Sequence, residues 1–155
     1  MRKTYLFIVA LCCVFFSEAQ TYEYQVITSV ESIIPSGAGR SRLISTNEAR
    51  NYQDFTSERT DGKKTKDKRN KSDRSEIRVK NFEETKLLNF FNIAGIRFQN
   101  IAANDAVITS KINTMSSDGW ELAFVTSAVE SDAGKDDGKG IFITRYIFKK
   151  LKEEE

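Results

Sequence analysis

The sequence predicts an α+β domain, in which a small antiparallel sheet of three to four strands carries one main helix on one face. Two observations support this fold class. Residues 22–30 and 141–150 are rich in aromatic and β-branched side chains, as strands are. Between them, residues 104–118 repeat apolar side chains at the spacing of an amphipathic helix.

The first nineteen residues have the order of a secretory signal peptide. Arg2 and Lys3 precede an apolar run at 5–16, and Ser17-Glu18-Ala19 supplies small residues around a cleavage site. Because this run is shorter than the roughly 18 to 20 residues of a membrane-spanning helix, we expect cleavage between Ala19 and Gln20. The alternative is an uncleaved anchor or a buried first helix. After cleavage, no transmembrane span is predicted.

Cleavage would remove both cysteines, Cys12 and Cys13, and the chain contains no histidine. The usual general base near neutral pH and the ligands of soft metals are therefore missing. We predict no catalytic, cofactor-binding or metal-ligating residue. The signal peptide holds two of the 24 basic and one of the 22 acidic residues, so the net charge of the rest is near +1 and favours no partner class.

Residues 20–150 are predicted to form a single domain, and 151–155 a disordered tail. In the opening strand of this domain, residues 22–30, apolar and polar side chains alternate, with Tyr22, Tyr24, Val26 and Val30 on one face. A turn around Pro35 follows, and residues 40–46 are predicted to return as a second strand beside the first. Residues 47–55 fit either a short helix or a loop.

Residues 56–80 contain ten basic and five acidic side chains and no large apolar one before Ile77. Such a composition cannot offset the entropy of ordering, so a mobile basic insertion is predicted at about 56–76. It could contact an anionic surface, although a solvated loop is the simpler interpretation. With no aromatic side chain between 56 and 81, specific nucleic-acid binding is not expected. The candidate contacts are Lys63, Lys64, Lys66, Lys68, Arg69 and Lys71.

Residues 82–91 fit a short helix or strand that docks on the core, and residues 96–101 alternate weakly after Gly95. The main helix is predicted to begin with Asn104 as its N-cap. Its apolar stripe is Ile108, Ile112 and Met115, at i, i+4 and i+7. Gly119 is expected to end it in the left-handed conformation.

Trp120, Leu122 and Phe124 are predicted to share one face of the next strand, packed under the helix stripe. A ligand platform is the alternative role for Trp120. The polar connection at 132–140 does not match a calcium-binding loop, because the acids Asp132, Asp136 and Asp137, with Glu130, have the wrong spacing. Residues 141–150 are apolar on both faces, which predicts a central strand antiparallel to both 22–30 and 120–129.

Three segments carry a resemblance to a known family: Tyr-Glu-Tyr-Gln-Val at 22–26, a helix leading into Gly-Trp-Glu-Leu at 112–122, and a strand ending in Phe-Lys-Lys at 146–150. Together they resemble the bacterial family named domain of unknown function 4177. The resemblance is split around an inserted segment, roughly 33–103. It implies the α+β fold, and it implies no activity and no site residue.

These observations predict an exported (periplasmic or secreted) bacterial protein, a non-catalytic binding or structural module of the cell envelope. Its expected partner is an envelope protein or an anionic surface. The alternative is a carboxylate-based envelope hydrolase with acids on the exposed sheet face, assisted by Tyr146 and Arg145. A deep pocket lined by two or more acids would favour the hydrolase, whereas a flat sheet face would favour the binding module.

Overall fold

The computed structural model describes residues 20–32, 40–58, 72–92, 94–130 and 140–152, and their fold is α+β. The two longest strands and the longest helix match the three segments with the strongest apolar patterns. The elements in chain order are β1 (Tyr22–Ser32), β2 (Arg42–Ser45), a 3₁₀ turn (Tyr52–Phe55), α1 (Arg74–Ile77), β3 (Glu83–Lys86), β4 (Phe91–Asn92), β5 (Gly95–Ile96), α2 (Phe98–Ser117), β6 (Glu121–Glu130) and β7 (Ile141–Leu151).

The main sheet is antiparallel, with the strand order β3-β2-β1-β7-β6. The prediction that β7 pairs with both β1 and β6 is confirmed, as is the pairing of β2 with β1. The sheet has five strands rather than three to four, because residues 40–86 add β2 and β3 beside β1. A separate two-stranded hairpin, β4–β5, precedes α2.

The core lies between α2 and one side of the sheet, which we call the core face. From α2, Ile108 and Met115 are buried, and Val107 and Ile112 pack beside them. Apolar burial of this kind is the main stabilising contribution to the fold. The other buried apolar side chains of this cluster are Ile27, Leu43, Leu87 and Phe148.

The alternation of β1 is as predicted, but its buried side is the less apolar one. Ile27 and Ser29 are buried on the core face, whereas Tyr24 and Val26 point to the opposite side and are exposed. The reason lies in β7. Because β7 is apolar on both faces, covering either side of the sheet removes apolar side chains of β7 from water. The position of α2 decides which side that is.

The predicted N-cap of the main helix is wrong, because α2 begins at Phe98 and Asn104 lies in its interior. In the weakly alternating segment 96–101, Ile96 ends β5, and residues 98–101 form the first turn of α2. Asn104 tolerates a helix interior because its side chain is buried and hydrogen-bonded to Leu88 and Glu31, outside the helix. The sequence alone does not distinguish an asparagine that caps the start of a helix from one inside a helix whose side chain bonds to another segment.

The end of α2 is fixed by a glycine. Gly119 has φ +86°, the left-handed conformation that other residues adopt at a cost. Its N–H donates to Ser116 O at 3.0 Å, and the N–H of Trp120 donates to Met115 O at 2.9 Å. These two bonds form a Schellman motif, and the Trp120 ring packs against the cluster that contains Met115.

A β-bulge at Ala123 overturns the predicted face of β6. Leu122 pairs with the buried Phe148, but Phe124 pairs with Ile147, because Ala123 is an extra residue in the register. Phe124 therefore points away from the core and is 67% exposed. Leu122 stays on the core face, where it is partly exposed because α2 covers mainly the centre of the sheet.

The predicted tail and insertion fall partly outside the described residues. β7 continues to Leu151, and the N–H of Lys152 donates to Thr21 O at 3.0 Å, so the tail prediction is wrong at 151–152. Of the predicted mobile insertion at about 56–76, residues 56–58 and 72–76 are described, and α1 begins there at Arg74; the mobility stays a prediction. Residues 59–71 lie outside the described part. No helix of that described part is both long and apolar enough to cross a membrane.

Candidate binding surface

The side of the sheet opposite α2 is the candidate functional site, and we call it the open face. Antiparallel pairing puts register partners on the same side of a sheet, so alternate residues of β1, β7 and β6 line up across it. Val26, Ile147 and Phe124 form one apolar row, and Val30 with Ile143 forms a second. The surface is therefore a grid of side chains, and two of them, Tyr24 and Val26, also line a depression of about 400 Å³.

The described residues leave much of the open face uncovered. Tyr24 is 61% exposed and Val26 is 44% exposed, and Phe124 is more exposed than either. Soluble proteins rarely leave contiguous apolar side chains of this size open to water without a binding role. This exposure, on a face with regular strands beneath it, makes the surface a candidate interface.

Arg145 stands between the two apolar rows. Its register partners are Thr28 on β1 and Thr126 on β6, and its neighbours along β7 on the same face are Ile143 and Ile147. The side chain is exposed and forms no ion pair with any described acid. A guanidinium in such surroundings offers five donors in a planar fork, which matches a carboxylate.

Ion pairs lie at the margins of the open face rather than at its centre. Lys149 Nζ is 3.3 Å from Glu121 Oε2 and 5.2 Å from the centre of the Tyr22 ring. At the β2–β3 side, Arg42 Nε is 2.5 Å from Glu84 Oε1. Exposed pairs of this kind contribute little stability. They neutralise charge at the rim, whereas Arg145, between the apolar rows, has no ion-pair partner among the described residues.

The acid-lined cavity in the described chain is a poor site for hydrolysis. It has a volume of about 380 Å³ and includes Glu48 and Glu83 in its lining. The Arg50 hydrogen bond to Glu48 is the main cause that lowers the pKa of that carboxyl, and Asn81 bonds lower it further. Lys111, followed by Ser45, lowers the pKa of Glu83. Both carboxylates therefore stay ionised near neutral pH, and neither suits a general acid.

A second pair of acids lies at the edge of the core face. Burial raises the pKa of Glu31, with a smaller contribution from the charge of Asp105, and a hydrogen bond from Asn104 opposes the rise. Burial also raises the pKa of Tyr146. The nearby Ser29 hydroxyl opposes that shift, but Ser29 Oγ reaches no partner of ordinary hydrogen-bond geometry among the described residues.

The structure does not bring Tyr146 and Arg145 together. They are consecutive in β7, so their side chains lie on opposite faces: Tyr146 pairs with Ile27 on the core face, and Arg145 is on the open face. One pocket on a single face of the sheet therefore cannot include both side chains, and the hydrolase itself stays an untested alternative. No group of three or more acidic side chains in the described ranges is placed to hold a metal ion.

Among the predicted structural residues, Ile108 and Met115 are buried, and Ile112 and Trp120 are partly buried against the same cluster. Trp120 also lines a shallow groove of about 400 Å³ whose rim includes Tyr24. The residue therefore helps to hold the core and contributes one edge to a surface depression. Leu122 and Phe124 do not belong to the buried cluster.

Several predicted sites lie outside the described residues. They are the cleavage position at Ala19, the basic contacts from Lys63 to Lys71, and Asp132, Asp136 and Asp137. Gln20 is described and exposed, and its Oε1 accepts a hydrogen bond from the Tyr22 hydroxyl at 2.9 Å. The contact of the basic segment with an anionic surface stays a prediction.

An exposed sheet face was predicted, but its residues were not identified because β7 is apolar on both sides. One signal in the sequence could have indicated it: Arg145 places a charge in the middle of a strand that is apolar on both faces and predicted to be central. A charged residue at such a position requires either a buried partner or an open side of the sheet.

Comparisons with known proteins add no relative to these observations. No protein-family model, no curated protein and no solved structure matches the chain. The resemblance to the domain of unknown function 4177 family therefore stays a prediction.

Proposed function

We propose that the chain is an exported, non-catalytic binding module of the cell envelope that holds a partner protein on its open face. The observation that carries the proposal is the exposure of Val26 and Phe124 on the open face beside Arg145, which pairs with no described acid. Exposed aromatic side chains and arginine are the residue types that contribute most to protein interfaces. A surface of this kind suits another protein better than a small molecule, which needs a concave pocket.

The experiment compares two neighbouring residues of β6 that face opposite sides of the sheet. Phe124 lies on the open face and Val125 on the core face, and both are more than half exposed. Partners are cross-linked and captured from envelope extracts with the wild type, Phe124→Asp and Val125→Asp. We expect a partner that the wild type and Val125→Asp retain and Phe124→Asp loses. Equal capture by all three variants would contradict binding at the open face.

Export is part of the proposal, and the order of charged, apolar and small residues in 1–19 supports it. Mass spectrometry of the protein recovered from the envelope fraction should give an N-terminus at Gln20. A protein recovered only from the cytoplasm with residues 1–19 intact would remove the envelope from the proposal while leaving the open face to be tested.

One observation favours the alternative, a carboxylate-based hydrolase. Burial raises the pKa of Glu31 beside Asp105, and two acids in unequal surroundings are the basis of acid–base catalysis of glycoside hydrolysis. Purified protein is incubated with envelope polysaccharide, and released reducing ends are measured for the wild type and Glu31→Gln. Hydrolysis that disappears in Glu31→Gln would replace the binding proposal. We expect no hydrolysis by either protein.

A further inference from the structure

The two edges of the main sheet differ in how they are protected. At one edge, β3 is four residues long and carries Glu83, Glu84 and Lys86. Short, charged edge strands discourage pairing with another chain. At the other edge, β6 is ten residues long, and no described strand pairs with its outer side.

β6 lacks the usual protection of an edge strand along most of its length. Between Glu121 and Glu130 it has eight consecutive residues without charge or proline. Phe124 on the open face and Val125 and Val129 on the core face are exposed, so apolar side chains border the free edge on both sides. Long, apolar, unpaired edges of this kind are templates for adding a strand. The bulge at Ala123 is the one irregularity, and it lies near one end.

We propose that β6 pairs with β6 of a second copy of this chain, antiparallel and around a two-fold axis at Thr126. This inference goes beyond the proposed function and does not depend on it. The pairing would join two five-stranded sheets into one of ten strands. Because the axis is perpendicular to the sheet, both α2 helices lie on one side, and the two open faces form one continuous surface.

The side chains of β6 complement themselves in this register. Thr126 meets Thr126 of the second copy, Phe124 meets Ala128, and Val125 meets Ser127, so that in this central stretch each larger side chain faces a smaller one on the same side of the sheet. Moving the two-fold axis to Ser127 would put Phe124 opposite Glu130. Moving it to Val125 would bring the bulge at Ala123 within two residues of the axis, opposite Ser127, whereas in the proposed register the bulge is three residues away, opposite Val129.

The predicted dimer is weak. A strand of ten residues is about 34 Å long, and an edge-to-edge contact buries less than the roughly 800 Å² per partner of a standard stable interface. In addition, Glu130 of each copy lies near the Glu121 end of the other, where like charges repel. We therefore expect association at concentrations of about 10 to 100 µM.

Sedimentation equilibrium of the purified protein provides the first test, with two variants that make the same chemical change. Thr126 and Thr28 are both register partners of Arg145, so a glutamate at either position gains the same cross-strand neighbour. Only Thr126 lies at the free edge. We expect Thr126→Glu to abolish the dimer by placing two carboxylates opposite each other, while Thr28→Glu leaves it intact. A wild type that stays monomeric, or equal loss in both variants, overturns the proposal.

Oxidative cross-linking tests the register directly and needs no loss of stability. In the Cys12→Ser, Cys13→Ser background, Thr126→Cys should form a disulfide between two copies. Directly opposed residues of antiparallel strands have Cα atoms about 4.5 to 5.5 Å apart, within the range that a disulfide spans. Thr28→Cys, in the same background, should stay monomeric. Absence of the cross-link in Thr126→Cys, or an equal yield from both variants, contradicts pairing through β6.

Discussion

Asn104 Nδ2 donates a hydrogen bond of 2.9 Å to Glu31 Oε1, joining α2 to β1 across the interface between helix and sheet. The same amide also bonds both backbone groups of Leu88: its Oδ1 accepts from Leu88 N at 2.7 Å, and its Nδ2 donates to Leu88 O at 2.8 Å. Asn104 is 1% exposed. One buried side chain therefore holds three segments of the chain together.

Replacing Asn104 by alanine should lower the free energy of unfolding by about 2 to 3 kcal/mol, because it leaves the polar groups of Leu88 without their partner. Urea denaturation provides the measurement. Asn113→Ala, on the exposed side of the same helix, is the control and should change stability by less than about 0.5 kcal/mol. Similar losses of unfolding free energy in both variants would show that the hydrogen bonds of Asn104 do not stabilise the fold.

Glu31→Gln should remove part of the pH dependence of stability. Burial raises the pKa of Glu31 in the folded protein, so the folded state binds more protons than the unfolded state above the ordinary value of 4.5. Stability contributed by this group is present below that value and is lost as pH rises through the raised pKa. The glutamine variant should therefore be less sensitive to pH in this window, which urea denaturation between about pH 4 and 8 measures.

The pKa values of two other carboxylates are shifted in the direction opposite to that of Glu31, so their effects on stability fall in a different pH range. The lowered pKa values of Glu48 and Glu83 mean that their contributions are lost as pH falls below 4.5 and are complete above it. A fall in wild-type stability above about pH 5 thus isolates Glu31. If wild type and Glu31→Gln show the same slope there, Glu31 has no raised pKa.

Two phenylalanines on opposite faces should respond very differently to truncation. Phe148 is 1% exposed at the centre of the core, so Phe148→Ala should cost about 3 to 5 kcal/mol. Phe124→Ala removes a ring that water already surrounds and should cost less than about 1 kcal/mol. Thermal and urea denaturation of both variants check this contrast. A large loss in Phe124→Ala would mean that something covers the open face of the isolated protein.

Gly119→Ala should destabilise the protein by about 1 to 2 kcal/mol, because a residue with a Cβ is strained at φ +86°. Crowding adds little, since the new Cβ would lie 3.4 Å from Lys150 Cε, near the flexible end of that side chain. Gly119→Asn should cost less than Gly119→Ala, as asparagine tolerates the left-handed conformation better. Differential scanning calorimetry of the three proteins gives the order, and an alanine variant as stable as wild type would contradict the strain.

Patterns that involve many residues predicted the fold correctly. The two apolar faces of 141–150 predicted a central strand, and the stripe of Ile108, Ile112 and Met115 predicted the side of α2 that is buried. Features that depend on single residues were not predictable in the same way. The interior position of Asn104 and the bulge at Ala123 are set by tertiary partners, Leu88 and Phe148, that are distant in sequence.

The candidate site was harder to predict than the fold for a physical reason. A side chain belongs to a binding surface only if no other element covers it. The apolar stripe of α2 predicts that the helix packs on the sheet, but it does not predict which side of the sheet the helix covers. The absence of histidine excluded imidazole chemistry from composition alone, whereas the loss of Cys12 and Cys13 depends on cleavage after Ala19 and stays a prediction. Finding the open face required knowing where Ile27 and Tyr24 point.

Because of the bulge at Ala123, the side of the sheet on which each β6 side chain lies depends on the number of residues between Gly119 and Glu130. One residue added or removed there exchanges every later side chain of β6 between the two sides of the sheet, so Phe124, Thr126 and Ala128 would trade places with Val125, Ser127 and Val129. The length of this short segment thus determines which side chains the protein exposes on each face, as much as the composition of the segment does. Insertions and deletions here would change what the protein displays while leaving its hydrophobicity almost untouched.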